Sequence, residues 1–541
     1  MLSIKIDGKE YQEKKGQTIL QVCNKHGVYI PTLCNHPDLP PIAHCGVCVV
    51  KINGNNFVLS CSHKIAAGME IETGTPEIKA KALDALQNFS DVTMMPKTPE
   101  IEELYTYLKP ARKVNMTPQK LTSISFDPGL CIQCDRCTRA CSDIQAMDAI
   151  QEDTHQIIDF DCIQCGQCAN VCPTNAIYET PAIPKVIQAL AKGYIMIMQF
   201  APSVRVTMGE MFGDEPGTIC TGKIIAASRM MGFRYVFDIA YGADITVLEE
   251  GAELVHKIQN NEKLPMFTSC CPSWVNFVER KHPELIPQLS TAKSPHMMSA
   301  AAIKTVFADV NNIDPSKIFL VSMMPCTAKK DEIIRTPLQG QVDAVITARE
   351  FGQMIKTFDI DWSTLDSDHT AAFDKMMGES SGGGNIFGVS GGVMESTMRY
   401  VSEKLTGQTL VSPPDFRQIS EEMRSAEVQI GDRTFKIGIC GGIAAAKDLL
   451  ESGEFDDYDF IEVMACPRGC ISGGGHPKLP IKRIPERAKA LYNIDGKKGE
   501  MNKLSALKNE EAAECYRILE EKNADLKNHI FHTHFSPQVA K

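Results

Sequence analysis

The sequence predicts a multidomain fold, α+β toward the amino end and α/β through most of the second half. Three observations lead there. The chain has 541 residues, which at roughly 150 residues per domain suggests three or four. Short β runs (LSIKID, CGVCVVKING, NFVLSC) crowd its start. In the second half, three apolar strand-like runs, LPMF, KIFLVSMM and YDFIEVM, lead into Cys270, Cys326 and Cys466, and open α/β sheets place ligands at that carboxyl edge.

Composition narrows the class. With 43% hydrophobic and 23% charged residues, the chain reads as a soluble globular protein, and no run approaches the roughly 20 apolar residues of a membrane helix. The first 20 residues lack a basic stretch followed by an apolar one and read as a strand hairpin turning at Gly8, so no export signal and a cytoplasmic location are expected. A formal charge of -11 argues against a nucleic-acid partner, since phosphate recognition needs a basic surface. Lys109, Arg112 and Lys113 form a local basic cluster that could face an acidic electron carrier, or simply solvent. The 21 cysteines fall in dense short-spaced runs that favour metal ligation over disulfides, hence a reducing compartment.

Residues 1–78 carry Cys34, Cys45, Cys48 and Cys61 among the short β runs, with a helix-like stretch at 17–26. The combination suggests a β-grasp ferredoxin domain with a 2Fe-2S cluster, zinc being the alternative. Residues 64–130 contain neither Cys nor His. Within them, 79–122 read as a cluster-free spacer of two helices joined around Pro96 and Pro99.

Residues 123–182 hold an internal repeat: CIQCDRCTRAC at 131–141 and CIQCGQCANVC at 162–172 superpose all four cysteines. In such duplicated C-x2-C-x2-C-x3-C units the fourth cysteine of each run ligates the other cluster. Two 4Fe-4S clusters are therefore expected, one on Cys131, Cys134, Cys137 and Cys172, the other on Cys162, Cys165, Cys168 and Cys141. Zinc, which prefers two C-x-x-C pairs, fits this spacing poorly.

From 183 to 482 the segments TSCCPSW (268–274), MPCTAKKDE (324–332) and EVMACPRGCISGGGHP (462–477) occur in order. Together they resemble the three signatures that hold the hydrogen-activating cluster of FeFe-hydrogenases, and the amino-terminal segment resembles the 2Fe-2S domain of multi-cluster members of that family and of the electron-input subunit of respiratory complex I. Many such relatives carry a further histidine-ligated 4Fe-4S cluster in the next segment, whose ligands are missing here. The resemblance implies that Cys271, Cys326, Cys466 and Cys470 hold a 4Fe-4S cubane, bridged through Cys470 to a two-iron unit with CO, cyanide and dithiolate ligands, the H-cluster. It implies that Lys329 donates to a cyanide, that Ser203, Met324, Phe387 and Met464 wall the cofactor, and that Cys270, Glu250, Ser290 and Glu253 relay protons, with Lys257 near the surface where an arginine is common. Taken alone, the Met and Phe residues fit core packing, Lys329 fits a solvated helix face, and Glu249, Glu250 and Glu253 fit a charged helix surface. The C-x3-C spacing suggests that Cys466 and Cys470 share one face of a helical turn, and Gly473 to Gly475 suggest backbone passing close to a bulky cofactor. Pro467 departs from the CHGGC form of the third signature.

Residues 483–541 read as helical and polar and end in HTHF before SPQVAK, resembling the segment that wraps the family's catalytic domain; His529, His532 and His534 are candidate metal ligands. Cys23, Cys220, Cys440 and Cys515 are expected to be core thiols. The implied activity is interconversion of two protons and two electrons with H2. The implied partners are ferredoxin or a similar carrier, NADH-oxidising subunits in a larger complex, and hydrogenase maturation proteins.

Overall fold

The computed structural model describes residues 1–89, 103–104, 107–108, 118–365, 372–478, 484–523 and 525–539. The basic cluster at Lys109, Arg112 and Lys113 and the link around Pro96 and Pro99 lie outside these residues. The chain divides into two units, Met1–Asp143 with Asp148–Ile158 and Val171–Tyr178, and Ile144–Met147 with Asp159–Asn170 and Glu179–Lys541.

In the first unit, β1 (Leu2–Ile6) and β2 (Lys9–Glu13) form a hairpin. Its two turn residues, Asp7 and Gly8, both take positive φ, as the tight turn between twisted strands requires. α1 (Ile19–Lys25) starts at a capping box in which Thr18 and Gln21 satisfy each other's backbone N–H. With β3 (Val49–Ile52), β4 (Asn56–Leu59) and β5 (Glu70–Glu72), the strands form one sheet in the order β2-β1-β5-β3-β4.

The expected boundaries at 78/79 and 122/123 do not fall at breaks in packing. α2 begins at Pro76 and runs to Phe89, and its Ile78, Ala82 and Leu86 share one core with Leu33, Cys34 and Val49 on one side and Ile132 and Cys134 on the other. Arg136 adds a hydrogen bond to the Asn35 carbonyl at 2.5 Å. The physical reason is size: a sheet this small buries too little apolar area alone, so the helix and the first cysteine loop complete its core. β6 (Gln119–Lys120), β7 (Ile124–Phe126) and β8 (Ile177–Glu179) form a three-stranded sheet beside that loop.

The second unit contains two sheets. β9 (Ile195–Phe200), β10 (Tyr235–Asp238), β12 (Ile318–Met324) and β13 (Ala344–Thr347) are all parallel, in the order β10-β9-β12-β13. Every residue of β12 is buried, the continuous apolar pattern of a parallel strand covered on both faces. β11 (Met266–Phe267), β14 (Arg417–Gln418), β15 (Met423–Ile430), β16 (Arg433–Gly441) and β17 (Phe460–Met464) form a mixed sheet in the order β11-β17-β16-β15-β14. The α/β expectation therefore holds with one refinement: the three signature strands belong to two sheets, β12 to the parallel one and β11 and β17, paired in parallel, to the mixed one.

β10 passes directly into the long helix α3 (Ile239–Gln259), whose N-cap Asp238 accepts the Ala240 N–H at 2.9 Å. Toward the carboxyl end come helices Pro485–Glu500, Glu510–Lys522 and Leu526–Phe531. Among the described residues no helix is long and apolar enough to cross a membrane. Cys23, Cys220, Cys440 and Cys515 are buried.

Candidate active site and cluster-binding cysteines

Each of the three signature strands ends at the candidate site. After β11 the chain turns through Cys270 and Cys271 into a helix (Pro272–Lys281) that opens with proline at its first position. After β12 come Pro325 and Cys326, then the short helix Lys329–Glu332. After β17 come Cys466 and Cys470. A cavity lies among these ends, bordered by Cys270, Cys271, Cys470, Lys329, Ser203, Met324, Phe387 and Met464, and also by His296. Every wall residue expected from the sequence borders it.

The donors fit an iron–sulfur group. Burial and then repulsion from Cys271 push the Cys326 thiol up to about 12, and burial and neighbouring thiols push Cys466 and Cys470 well above the usual thiol range. Only a strongly positive soft centre, such as cluster iron, could take these sulfurs as thiolates in a dry pocket. The Ser203 hydroxyl is buried without a hydrogen-bond partner at the same cavity.

Lys329 is not on a solvated face. It is 5% exposed; its ammonium donates to the Cys270 carbonyl at 3.0 Å and pairs with Glu332 at 2.8 Å. Burial alone would lower this ammonium, but the Glu332 carboxylate outweighs it and raises it. Glu332 is itself held below the ordinary carboxylate range: burial opposes ionisation, while Lys329 and then His296, at 2.6 Å, favour it. Two of the three ammonium protons are thus engaged and one remains for the cavity.

Cys270 is half-buried because it borders the cavity, and burial followed by the Glu250 charge holds its thiol well above the usual range. On α3, Glu250 is 0% exposed, which excludes the charged helix surface as an account of it. Neither of its oxygens has a hydrogen-bond partner; the nearby Ser290 hydroxyl gives its proton to Glu253 at 3.0 Å. Burial and then the Glu253 carboxylate push Glu250 up to about 8.

One local expectation is corrected. Cys466 and Cys470 do not share a helical turn: Arg468 and Gly469 take φ of 61° and 97°, outside the right-handed helical region, and a 3-10 turn starts only at Cys470. The glycine run passes close to protein. A Cβ on Gly473 would lie 2.3 Å from the Pro325 carbonyl oxygen, one on Gly474 2.2 Å from that of Cys165, and one on Gly475 2.9 Å from Thr347. The run is small so that it can pack between the end of β12 and the 162–168 loop.

Sequence reasoning missed His296 and Arg349. Arg349 reaches Glu179, the Asn170 side chain and the carbonyls of Gly474 and His476, tying the glycine run in place. His296 sits in the first turn of a helix (Pro295–Ala302); the Ser-Pro start before it was the available signal.

In the first unit, Cys131, Cys134, Cys137 and Cys172 border one small cavity, the grouping the duplicated spacing predicts. Cys34, Cys45, Cys48 and Cys61 are all buried, Cys34 against Cys45 and Cys48 against Cys61. Within each pair the shared hydrogen bond lowers one thiol (Cys34, Cys48) and raises the other (Cys45, Cys61). Cys162, Cys165 and Cys168 lie in the second unit and Cys141 in the first. His532 bonds Thr291 and Glu249, and among the described residues no three His, Cys, Asp or Glu side chains gather as around a single ion.

Residues 194–474 match the model of the iron-only hydrogenase large subunit, C-terminal domain. The chain belongs to the iron-only hydrogenase family. Residues 1–76 of this hydrogenase match a 2Fe-2S iron-sulfur cluster binding domain and residues 125–178 a 4Fe-4S dicluster domain. It is 36% identical to the NADP-reducing hydrogenase subunit HndD of Solidesulfovibrio fructosivorans and 34% identical to iron hydrogenase 1 of Clostridium pasteurianum, in each case over 92% of this chain and 93% of the relative. Among solved structures, it superposes on an apo [FeFe]-hydrogenase HydA1 variant from Chlamydomonas reinhardtii with a TM-score of 0.57 and 30% identity, covering 65% of this chain and 98% of the other. This iron–sulfur oxidoreductase thus acts in hydrogen metabolism and electron transfer.

Proposed function

We propose that the chain catalyses the reversible conversion of two protons and two electrons to H2 at the cavity bordered by Cys270, Cys271 and Cys470. One juxtaposition carries the reading: Cys270, which is free of any ligand role, and Lys329 border the same cavity as the ligand candidates Cys271 and Cys470. Cys271, Cys326, Cys466 and Cys470 would hold a cubane, with Cys470 bridging to a two-iron unit that carries CO, cyanide and dithiolate. When bound, that cofactor supplies heterolytic H2 chemistry.

The protein's own groups do the rest. Lys329, fixed by Glu332 and by the Cys270 carbonyl, turns its remaining N–H toward the cavity, suited to an anionic cyanide. Ser203 offers its unpartnered hydroxyl, and Met324, Phe387 and Met464 exclude water. Cys270 carries a proton between the cavity and Glu250, which at about 8 can hold or release one near neutral pH. Ser290, which neighbours Glu250 and donates to Glu253, is the next group on the path.

Electrons would enter through one 2Fe-2S cluster on Cys34, Cys45, Cys48 and Cys61 and two 4Fe-4S clusters on Cys131, Cys134, Cys137 and Cys172 and on Cys162, Cys165, Cys168 and Cys141. The carrier is ferredoxin or, as the name of the NADP-reducing relative favours, a subunit of a larger assembly that exchanges electrons with a nicotinamide. Maturation proteins load the cofactor, and the location is cytoplasmic.

The deciding experiment pairs infrared spectroscopy of the matured protein with Cys270→Ala. Metal-bound CO and cyanide bands should persist in the variant, because Cys271 is the ligand, while H2 production with an artificial donor falls at least a hundredfold. Wild-type turnover in the variant would remove Cys270 from the relay, and absence of the bands from wild-type protein would remove the cofactor.

A further inference from the structure

Past Glu253 the hydrogen-bonded chain continues onto a different part of the sequence. Glu253 Oε2 accepts the Thr291 N–H at 2.9 Å and lies 3.4 Å from the Thr291 hydroxyl. That hydroxyl is 2.7 Å from His532 Nδ1, and His532 Nε2 is 3.1 Å from Glu249 Oε2. The other Glu249 oxygen accepts the Tyr516 hydroxyl.

His532 is placed by backbone. The Thr533 N–H donates to the Thr291 carbonyl at 2.8 Å, the Lys293 N–H donates to the Phe531 carbonyl at 2.9 Å, and Ala292 and His532 pair as an antiparallel bridge. The carboxyl-terminal segment is thereby clamped along residues 291–293. The imidazole retains 24% of its surface in solvent. The charged and titratable groups around it are Glu249 and Glu253 from α3 and Tyr516 from the helix Glu510–Lys522, with Lys527 acting on Glu249 and Tyr400 within reach of the Glu249 charge. Burial would raise Glu249, but its bonds to His532 and Tyr516 outweigh that and lower it, so it stays an anion. Lys257, one turn beyond Glu253 on α3, turns instead to Glu262 at 3.6 Å.

We propose that His532 is the proton-collecting group at the outer end of the relay, passing protons between solvent and Glu253 through the Thr291 hydroxyl. Imidazole is the side chain that exchanges protons readily near neutral pH. In the inward direction, Nδ1–H gives its proton to the Thr291 oxygen as that hydroxyl gives its own to Glu253. One proton leaves the ring, one reaches the carboxylate, and water or buffer returns one to the ring. No electron moves. This rests on the reading of Cys270, Glu250, Ser290 and Glu253 as the inner relay.

The test uses the full matured chain, with H2 production from reduced methyl viologen at low buffer concentration. His532→Ala should slow turnover roughly tenfold and steepen its decline with rising pH, with CO and cyanide infrared bands unchanged, and added imidazole should restore the rate. Thr291→Val, which keeps the His532–Glu249 contact, should slow turnover similarly without imidazole rescue. Glu253→Ala separates the two levels of the reading. Full activity in Glu253→Ala sinks the inner relay itself. A dead Glu253→Ala beside a His532→Ala that matches wild type at low buffer overturns only the role of His532, as does a loss confined to Lys257→Ala.

Discussion

Lys329 and Glu332, three residues apart on one short helix, form a buried ion pair at 2.8 Å, and the carboxylate oxygen that binds the ammonium also meets His296 at 2.6 Å. The ammonium therefore has a fixed direction: its chain neighbour holds it from behind, and the Cys270 carbonyl holds it from the side.

Replacing either end of that pair has a graded outcome. Lys329→Ala removes the donor and should abolish retention of the two-iron unit while leaving the cubane. Glu332→Gln leaves the ammonium without its counter-ion, an arrangement that costs of order 3 kcal/mol in a buried site, and should lower retention several-fold. Infrared band intensity per iron reads both. Equal retention in Glu332→Gln and wild type would show that Glu332 does not position Lys329.

Acid stability has a defined source in Glu179. Burial alone would raise this carboxyl, but the Arg349 guanidinium brings it from 4.5 to about 2. A depressed carboxylate contributes stability that is complete above its unfolded value and lost as pH falls toward the folded one. The window is therefore about pH 4.5 down to 2, and the contribution is of order 3 kcal/mol. In urea unfolding of the cluster-free chain, wild type should lose more stability than Glu179→Gln between pH 5 and pH 3. Parallel curves would place the acid sensitivity elsewhere.

Gly474→Ala tests the glycine run. The added methyl would lie 2.2 Å from the Cys165 carbonyl oxygen and 2.7 Å from the Gly166 carbonyl carbon, and backbone cannot yield as a side chain can. The variant should lose the electron paramagnetic resonance signal of the cluster on the 162–168 loop before that of the other ferredoxin cluster. An unperturbed signal with normal iron content would mean that the loop tolerates displacement.

Iron content tests the spacer. With residues 64–130 lacking Cys and His, the matured chain should bind about 16 irons rather than the 20 or so that a further cubane would give, by one cluster per ligand set. Iron analysis on homogeneous protein near 20 would require a ligand set not identified here.

The ligands were legible because cysteine spacing is a local code: the duplicated run places Cys131, Cys134, Cys137 and Cys172 at one cavity. Glu250 was ambiguous, since a glutamate on a helix carries no mark of which way it faces; only packing against the rest of the unit buries it. Arg349 binds Glu179 across 170 positions, a contact no window of sequence contains. The turn between Cys466 and Cys470 was misjudged because Arg468 adopts a left-handed conformation that its side chain does not announce. The glycine run was legible as a need for closeness, but not as to what comes close.

The two sheets of the second unit are interleaved along the chain. β9 and β10 belong to the parallel sheet, β11 to the mixed one, β12 and β13 to the parallel one again, and β14 to β17 to the mixed one. β11 makes an isolated bridge to Leu289 nearby but gains its partner strand in β17, nearly two hundred residues later. During synthesis, the strand that delivers Cys270 and Cys271 has only the isolated bridge to Leu289 until residue 461 has emerged from the ribosome, and Cys466 and Cys470 follow immediately. The pocket lacks Met464 and Cys470 until then, so cofactor loading belongs to a finished or nearly finished chain, and truncation anywhere before β17 removes Cys466 and Cys470 together with the partner strand of β11.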